Sequence, residues 1–264
     1  MIIDCHQHLP SIEKTKTLKK SKAQLLEELR RNKVDYAILI PDNTPKSDIG
    51  NLDEVLQLIE DDKQLHVMGT IDIQKRNYPA QTQKLDQLFQ SRSIVAVKIF
   101  PGHDTIYPTD KRLLPVYELC IKYDLPVVIH TGASSKHPEQ ARYNDPKYII
   151  KIAEKFPALK IVIAHYFYPR VEYCYELTKA YDNIYFDTSG LADEEVIADT
   201  GFAKIKRVLT LTARERPNNI VFETDYAMCS IRKHIELVES LEVKRQTKDK
   251  IFSENAIKLF HLKL

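Results

Sequence analysis

Asp4, His6 and His8 fall at alternate positions in the opening run Met-Ile-Ile-Asp-Cys-His-Gln-His. In an extended strand alternate side chains share a face. The three are therefore expected on one side, with both imidazoles at the strand's C-terminal end. Two imidazoles on rigid backbone form a bidentate claw for a transition metal. A pair of surface histidines near a terminus has the same spacing, so the motif needs support from elsewhere. That support comes from polar groups that end or interrupt apolar runs: Lys98 within 94–100, His130 at the end of 125–130, His165 at the end of 161–165 and Asp225 at the end of 220–225. Burying a titratable group in such a place is costly without a partner. A bound cation would supply one, with His6, His8 and His130 as neutral nitrogen donors and Asp225 as an anionic oxygen donor.

The elements that must position these groups recur along the chain. Eight apolar, β-branched-rich runs occupy residues 2–5, 34–40, 65–71, 94–100, 125–130, 161–165, 184–187 and 220–225. A repeat of about thirty residues, strand then helix, is the βαβ unit. Most of the runs are continuously apolar, as parallel strands covered by helices should be. Between them lie segments of 3.6-residue rhythm, such as Leu52, Val55, Leu56 and Ile59, or Tyr148, Ile149, Ile152 and Phe156, the latter opened by Asn144-Asp145-Pro146 as an N-cap with proline in the first turn. Eight units close a barrel, so the expected fold is an α/β (β/α)8 TIM barrel, one domain over residues 1–264. In that fold the C-terminal strand ends converge on one mouth, where the polar residues named above would meet. Gly102, Gly132 and Gly190 each follow a strand on that face, where a turn or close approach to a ligand can require glycine.

Composition excludes several partner classes. Lys and Arg number 39 against 37 Asp and Glu, and this near-balance gives no global attraction to nucleic acid or membrane. No apolar run approaches the roughly 18 residues of a membrane span, and no basic start followed by an apolar stretch marks a secretory signal. Cys5, Cys120, Cys174 and Cys229 are scattered, without a CxxC pair, which points to reduced thiols and a cytoplasmic setting. No P-loop or GxGxxG supports nucleotide chemistry. The expected partner is a small-molecule substrate.

Asp4-x-His6-x-His8, Val97-Lys98-Ile99-Phe100-Pro101, His130-Thr131-Gly132, Ala164-His165 and Thr224-Asp225 follow one another in an order that resembles the amidohydrolase superfamily, in its aminocarboxymuconate-semialdehyde decarboxylase-like branch. The resemblance extends through Asn183-Ile184-Tyr185-Phe186-Asp187 to Glu254-Asn255-Ala256, nearly the whole chain. It implies a metal-dependent hydrolase of the TIM-barrel fold in which His6, His8 and His130 are metal ligands. Asp225 would be a ligand or the acid–base group, His165 a catalytic residue beside the reacting water, and Asp4 a support behind the ligands. Binuclear relatives bridge two metals with a carboxylated lysine at the position of Lys98. In this branch that lysine more often stays unmodified, so one metal is expected. Relatives are often dimers, which makes a homodimer the oligomer the resemblance implies. Two features depart from the pattern: Tyr166 and Phe167 are bulky where small residues are common, and Glu223 stands where glycine is usual.

A nitrogen-rich donor set with one carboxylate and an open position suits zinc, with manganese, iron or cobalt as alternatives. A divalent ion lowers the pKa of bound water to about 7, which fits hydrolysis of an amide, lactone or ester. The same groups could instead support a non-oxidative decarboxylase, and a catalytically silent ligand- or metal-binding barrel is the third reading. Lys98, His103, Tyr166 and Arg170, with His137 and Arg142, are the expected substrate contacts at the mouth, and their cationic bias points to a carboxylate-bearing substrate. Tyr107 and Tyr168 are further candidates for lining the pocket.

Overall fold

Each of the eight apolar runs carries a parallel strand in the computed structural model, which describes residues 1–133 and 137–264. The strands are β1 (Ile3–Gln7), β2 (Tyr36–Leu39), β3 (Leu65–Val67), β4 (Gly69–Thr70), β5 (Val97–Ile99), β6 (Val127–Ile129), β7 (Ile161–Ile163), β8 (Ile184–Asp187) and β9 (Ile220–Val221). Helices connect them, including Leu18–Asn32, Leu52–Ile59, Tyr78–Gln90, Leu114–Lys122, Pro146–Lys155, Val171–Thr178, Phe202–Glu215 and Ile231–Glu239. Asp145 caps its helix through Lys147 N, with Pro146 in the first turn, as the sequence predicts. All four cysteines are free. Among the described residues no helix is long and apolar enough to cross a membrane.

One expectation needs correcting. The strands do not form a single closed ladder but two parallel sheets, β1-β2-β3 and β4-β5-β6-β7-β8-β9. The first seam divides the third apolar run. Met68 N donates to Leu39 O at 2.9 Å, and the next residue, Gly69, donates to Ala96 O at 2.8 Å, so the chain changes partner within one residue. Gly69 permits the close packing there, since a Cβ would lie 2.6 Å from Leu85 Cδ2 and 2.8 Å from Ile94 Cδ1. At the second seam single bonds replace a ladder. Cys5 N donates to Phe222 O at 3.1 Å and Asp225 N to His6 O at 2.9 Å, and Gln7 bridges to Tyr226.

Strand alternation sorts the core into two layers. Ala37, Leu39, Val97, Ile99, Val127, Ile129, Ile161, Ile163, Ile184 and Phe186 pack outward against the helices. Ile3, Cys5, Ile38, Ile40, Met68, Ala96, Val128, Val162, Ala164 and Val221 form an inner cluster with Ala256, Leu259, Phe260 and Leu262. The C-terminal segment thus plugs the end where the strands begin and leaves the other end for polar groups. Phe260, 1% exposed, is its largest inward side chain. Phe260→Ala is expected to cost about 3–5 kcal/mol of stability, read as a lower urea midpoint. A loss below about 1 kcal/mol would mean that the plug does not carry the inner core.

Candidate metal centre

The first strand does not run with uniform alternation. Asp4 pairs with Ala37 but Gln7 with Leu39, so β1 advances three residues while β2 advances two. This extra residue is a β-bulge, and it reverses the alternation between Cys5 and His6. Asp4 therefore does not share the face of His6 and His8, contrary to the period-two expectation. Asp4 and Gln7 turn instead to Thr224: Gln7 Nε2 donates to Thr224 Oγ1 at 3.0 Å, and Thr224 donates to Asp4 through Oγ1 at 2.6 Å and through its backbone N at 3.1 Å. Asp4 also accepts from Gln7 Nε2 and, at 3.3 Å, from His6 N. Its carboxylate fastens the first strand to the segment carrying Asp225, so it supports the ligands through the backbone.

Inside the mouth, His6 Nε2 and His8 Nε2 approach Asp225 Oδ1 at 3.5 and 3.3 Å. The other ring nitrogen of each histidine is already committed. His8 Nδ1 lies 2.9 Å from Ile40 O, a carbonyl that can only accept. His6 Nδ1 lies 3.1 Å from Glu223 Oε2 and 3.4 Å from Asp187 Oδ2. In the tautomer with Nδ1 as donor, each ring would direct its Nε2 lone pair toward the carboxylate oxygen of Asp225. Burial opposes charge on Asp225, yet the imidazoles of His8, His6 and His165 hold its carboxyl well below the usual range. Burial, joined by the charge of Lys98, pushes His6 down to about 3 and keeps it neutral at physiological pH. Converging lone pairs on two nitrogens and a carboxylate, all within 4.8 Å of one another, fit a bound cation.

The third predicted ligand, His130, stands one ring further across. Its centroid is 4.8 Å from His165 and 4.3 Å from His103, while His165 is 5.0 Å from His6. Ligand atoms of His6, His8 and Asp225 form one tight group and those of His6, Asp187 and Glu223 a second behind it, while His130 lines the same cleft beside the first. Burial holds His130 well below its ordinary value and His103 at about 4, so both are neutral. His165 reaches the mouth because it adopts a left-handed conformation, φ 63°, which breaks the outward phase of Ile161 and Ile163. Asp187 Oδ1 accepts from His165 N at 2.7 Å, and Ser189 Oγ lies 2.9 Å from its Nδ1. Gly132, at φ +81°, brings the loop after β6 against this turn, where a Cβ would meet Tyr168 O at 2.7 Å. The cleft so enclosed measures about 390 Å³ and also takes in Lys98, His137, Gln140, Tyr168 and Met228.

Lys98 is 1% exposed, and its Nζ has no hydrogen-bond partner among the described residues. Burial pushes its amine down, while Asp187, Glu223 and Asp225 push the other way. Two of those acids were missed as site residues. Asp187 and Glu223 lie at inward positions near the ends of β8 and β9, in phase with Tyr185 and with Val221 and Asp225, so strand parity alone could have found them. Burial and the neighbouring charge of Asp187 raise the Glu223 carboxyl well above its usual range, while His6 and His165 hold Asp187 low against burial.

Two predicted substrate contacts lie elsewhere. Tyr166 is fully buried, stacks on Phe186 at 4.6 Å and hydrogen-bonds Thr212 Oγ1 at 2.5 Å. Arg170 is exposed, with its guanidinium 4.1 Å from the Tyr173 ring. Three successive left-handed residues, His165, Tyr166 and Phe167, turn the chain so that only the first enters the cleft. Arg142 likewise lies on Tyr143, and Tyr107 packs against Tyr143 and Tyr148. The histidines read as structural or surface groups stay outside the site: His234 is buried between Ser230 O and Ala192 N, His261 pairs with Asp124, and His66 lies by the C-terminal segment.

Parallel strands that gather imidazoles and carboxylates at their C-terminal ends, with helices outside, give the arrangement of a TIM-barrel fold with a candidate metal site at its mouth. The family model described as Amidohydrolase matches residues 3–262, and the chain belongs to that family. Its structure is similar to an uncharacterised TIM-barrel protein from Bordetella bronchiseptica, at 21% identity over 98% of each chain with a TM-score of 0.79. It is also similar to a probable 2-pyrone-4,6-dicarboxylic acid hydrolase from Acinetobacter baumannii with citric acid bound, at 12% identity over 99% of each chain, TM-score 0.72. A third likeness is to a 5-carboxyvanillate decarboxylase from Novosphingobium aromaticivorans complexed with manganese and 4-hydroxy-3-methoxy-5-nitrobenzoic acid, at 14% identity, covering 99% of this chain and 96% of that one, TM-score 0.69. A search among curated proteins found no match.

The placement of Tyr166 has a direct test. Tyr166→Phe is expected to lower stability by about 1 kcal/mol through its lost hydrogen bond and to leave metal content unchanged. A change in metal content with stability intact would return Tyr166 to the site.

Proposed function

We propose that this chain is a metal-dependent hydrolase of a small, carboxylate-bearing amide, lactone or ester, with one divalent ion held by His6, His8 and Asp225 and with His130 as the adjoining nitrogen donor. The observation that carries this reading is the convergence of two fixed Nε2 lone pairs on Asp225 Oδ1, at 3.5 and 3.3 Å. When bound, such an ion supplies Lewis acidity and lowers the pKa of a coordinated water from 15.7 to about 7. Two imidazoles and one carboxylate favour zinc, with manganese as the alternative.

The chain's own groups divide the remaining work. Asp225 takes a proton from the attacking water as its oxygen bonds to the substrate carbonyl carbon, and returns that proton to the departing nitrogen or oxygen. His165, with Nδ1 tied to Ser189, presents Nε2 to the carbonyl oxygen as charge develops there. Lys98 is the anchor for the substrate carboxylate, because its buried Nζ lacks a partner among the described residues. His103 and His137 border the same space.

Likeness to a 5-carboxyvanillate decarboxylase supports a second reading. There His165 would pass a proton drawn from water in the cleft to the substrate carbon as the carbon–carboxylate bond breaks, its electron pair goes to that carbon, and carbon dioxide leaves. A panel of lactones, cyclic amides and aromatic acids, assayed for acid release and for carbon dioxide, separates the two reactions.

Elemental analysis of protein purified without added metal is expected to find about one transition-metal ion per chain, lost in a folded His6→Ala/His8→Ala variant. A folded wild type that takes up no divalent ion would overturn the metal reading. For the anchor, Lys98→Met is expected to raise KM about tenfold or more at unchanged metal content. An unchanged KM for a carboxylate substrate would remove Lys98 from substrate binding.

A further inference from the structure

We propose that Glu223 is a positioning residue that sets metal affinity by gripping Nδ1 of His6, an inference that rests on the metal reading above. The carboxyl group is 0% exposed, and its Oε2 stands 3.1 Å from Nδ1. Asp187 is the more distant acceptor at 3.4 Å, and its other oxygen already accepts from His165 N and from Ser189 N at 3.1 Å. Glu223 is the nearer partner and the one not shared with the His165 turn. Its backbone is clamped on both sides by Thr188, whose Oγ1 accepts from Glu223 N at 3.0 Å and donates to Glu223 O at 2.8 Å. The inward phase of the last strand run therefore delivers two carboxyls to one imidazole, Glu223 to Nδ1 and Asp225 to Nε2.

Apart from its contact with His6, the Glu223 side chain hydrogen-bonds only the Asp187 carboxyl among the described residues, a pairing of two buried acids that burial alone does not favour. Its second oxygen, Oε1, has no hydrogen-bond partner among the described residues, and a buried polar atom left unpaired destabilises a fold. A residue kept for stability would be apolar there. A residue kept for the metal must be an acceptor placed behind the ligand, since such partners fix ring orientation and raise donor strength.

These alternatives separate in a two-variant experiment on the full chain, reading Zn2+ affinity by competition with a chelator and the melting temperature of the metal-free protein. Glu223→Met removes the acceptor at similar volume, whereas Glu223→Gln keeps a carbonyl oxygen facing Nδ1. The Met variant is expected to bind Zn2+ about ten- to a hundredfold more weakly, with the metal-free melting temperature equal to wild type or higher. The Gln variant is expected to stay within about threefold of wild-type affinity, since its amide carbonyl still accepts from Nδ1. Wild-type affinity in the Met variant would overturn the proposal, because Asp187 alone would then suffice. Lower metal-free melting temperatures in both variants, or failure of both to fold, would make Glu223 a structural residue and overturn it too. Absence of Zn2+ binding by wild type itself would refute the metal reading, a result distinct from either.

Discussion

The site depends on where two protons sit. Ile40 O and the acids at positions 187 and 223 occupy the Nδ1 sides of His8 and His6, leaving both Nε2 lone pairs to face one carboxylate oxygen. Three electron-rich atoms brought together repel one another in a protein interior of low dielectric. The surrounding fold holds them in place regardless, and a cation turns the repulsion into binding energy. Inner-core packing, the bulge in β1 and the Asp4–Thr224 hydrogen bonds all serve to keep that arrangement from relaxing.

Around this centre the chain layers three kinds of support. Backbone carbonyls and buried acids orient the rings. Hydroxyls at Thr131, Thr188 and Ser189 fix the loops, with Thr131 Oγ1 accepting from Phe167 N at 2.9 Å and so holding the left-handed turn that aims His165. Apolar residues from the C-terminal segment fill the opposite end, leaving polar chemistry to one mouth only. Lys98, whose buried Nζ has no hydrogen-bond partner among the described residues, sits in that same cleft.

Much of this was legible along the chain. The apolar runs identified every strand, because parallel strands covered on both faces need apolar residues at successive positions. Runs that end in His130, His165 and Asp225 also identified the mouth. The break at Met68 was hidden, since a change of hydrogen-bonding partner leaves a continuous apolar run unchanged. Asp4 was misplaced for a similar reason: a bulge adds a residue to the pairing without altering the spelling of the strand. Proximity in sequence places Tyr166 and Arg170 at the cleft, whereas three residues of positive φ decide which side chain enters. Glu223 and Asp187 were available from strand parity, but neither ends its motif in a way that draws notice.

The second seam has a consequence for how the protein is made. His6 and Glu223 are separated by 217 positions, and the bonds from Cys5 to Phe222 and from Asp225 to His6 join the earliest strand to the last. A chain emerging from the ribosome therefore displays the two opening imidazoles long before their acidic partners exist. Assembly of the proposed centre must wait until synthesis has passed the final strand, so a truncated product carries an exposed histidine pair without its acidic partners.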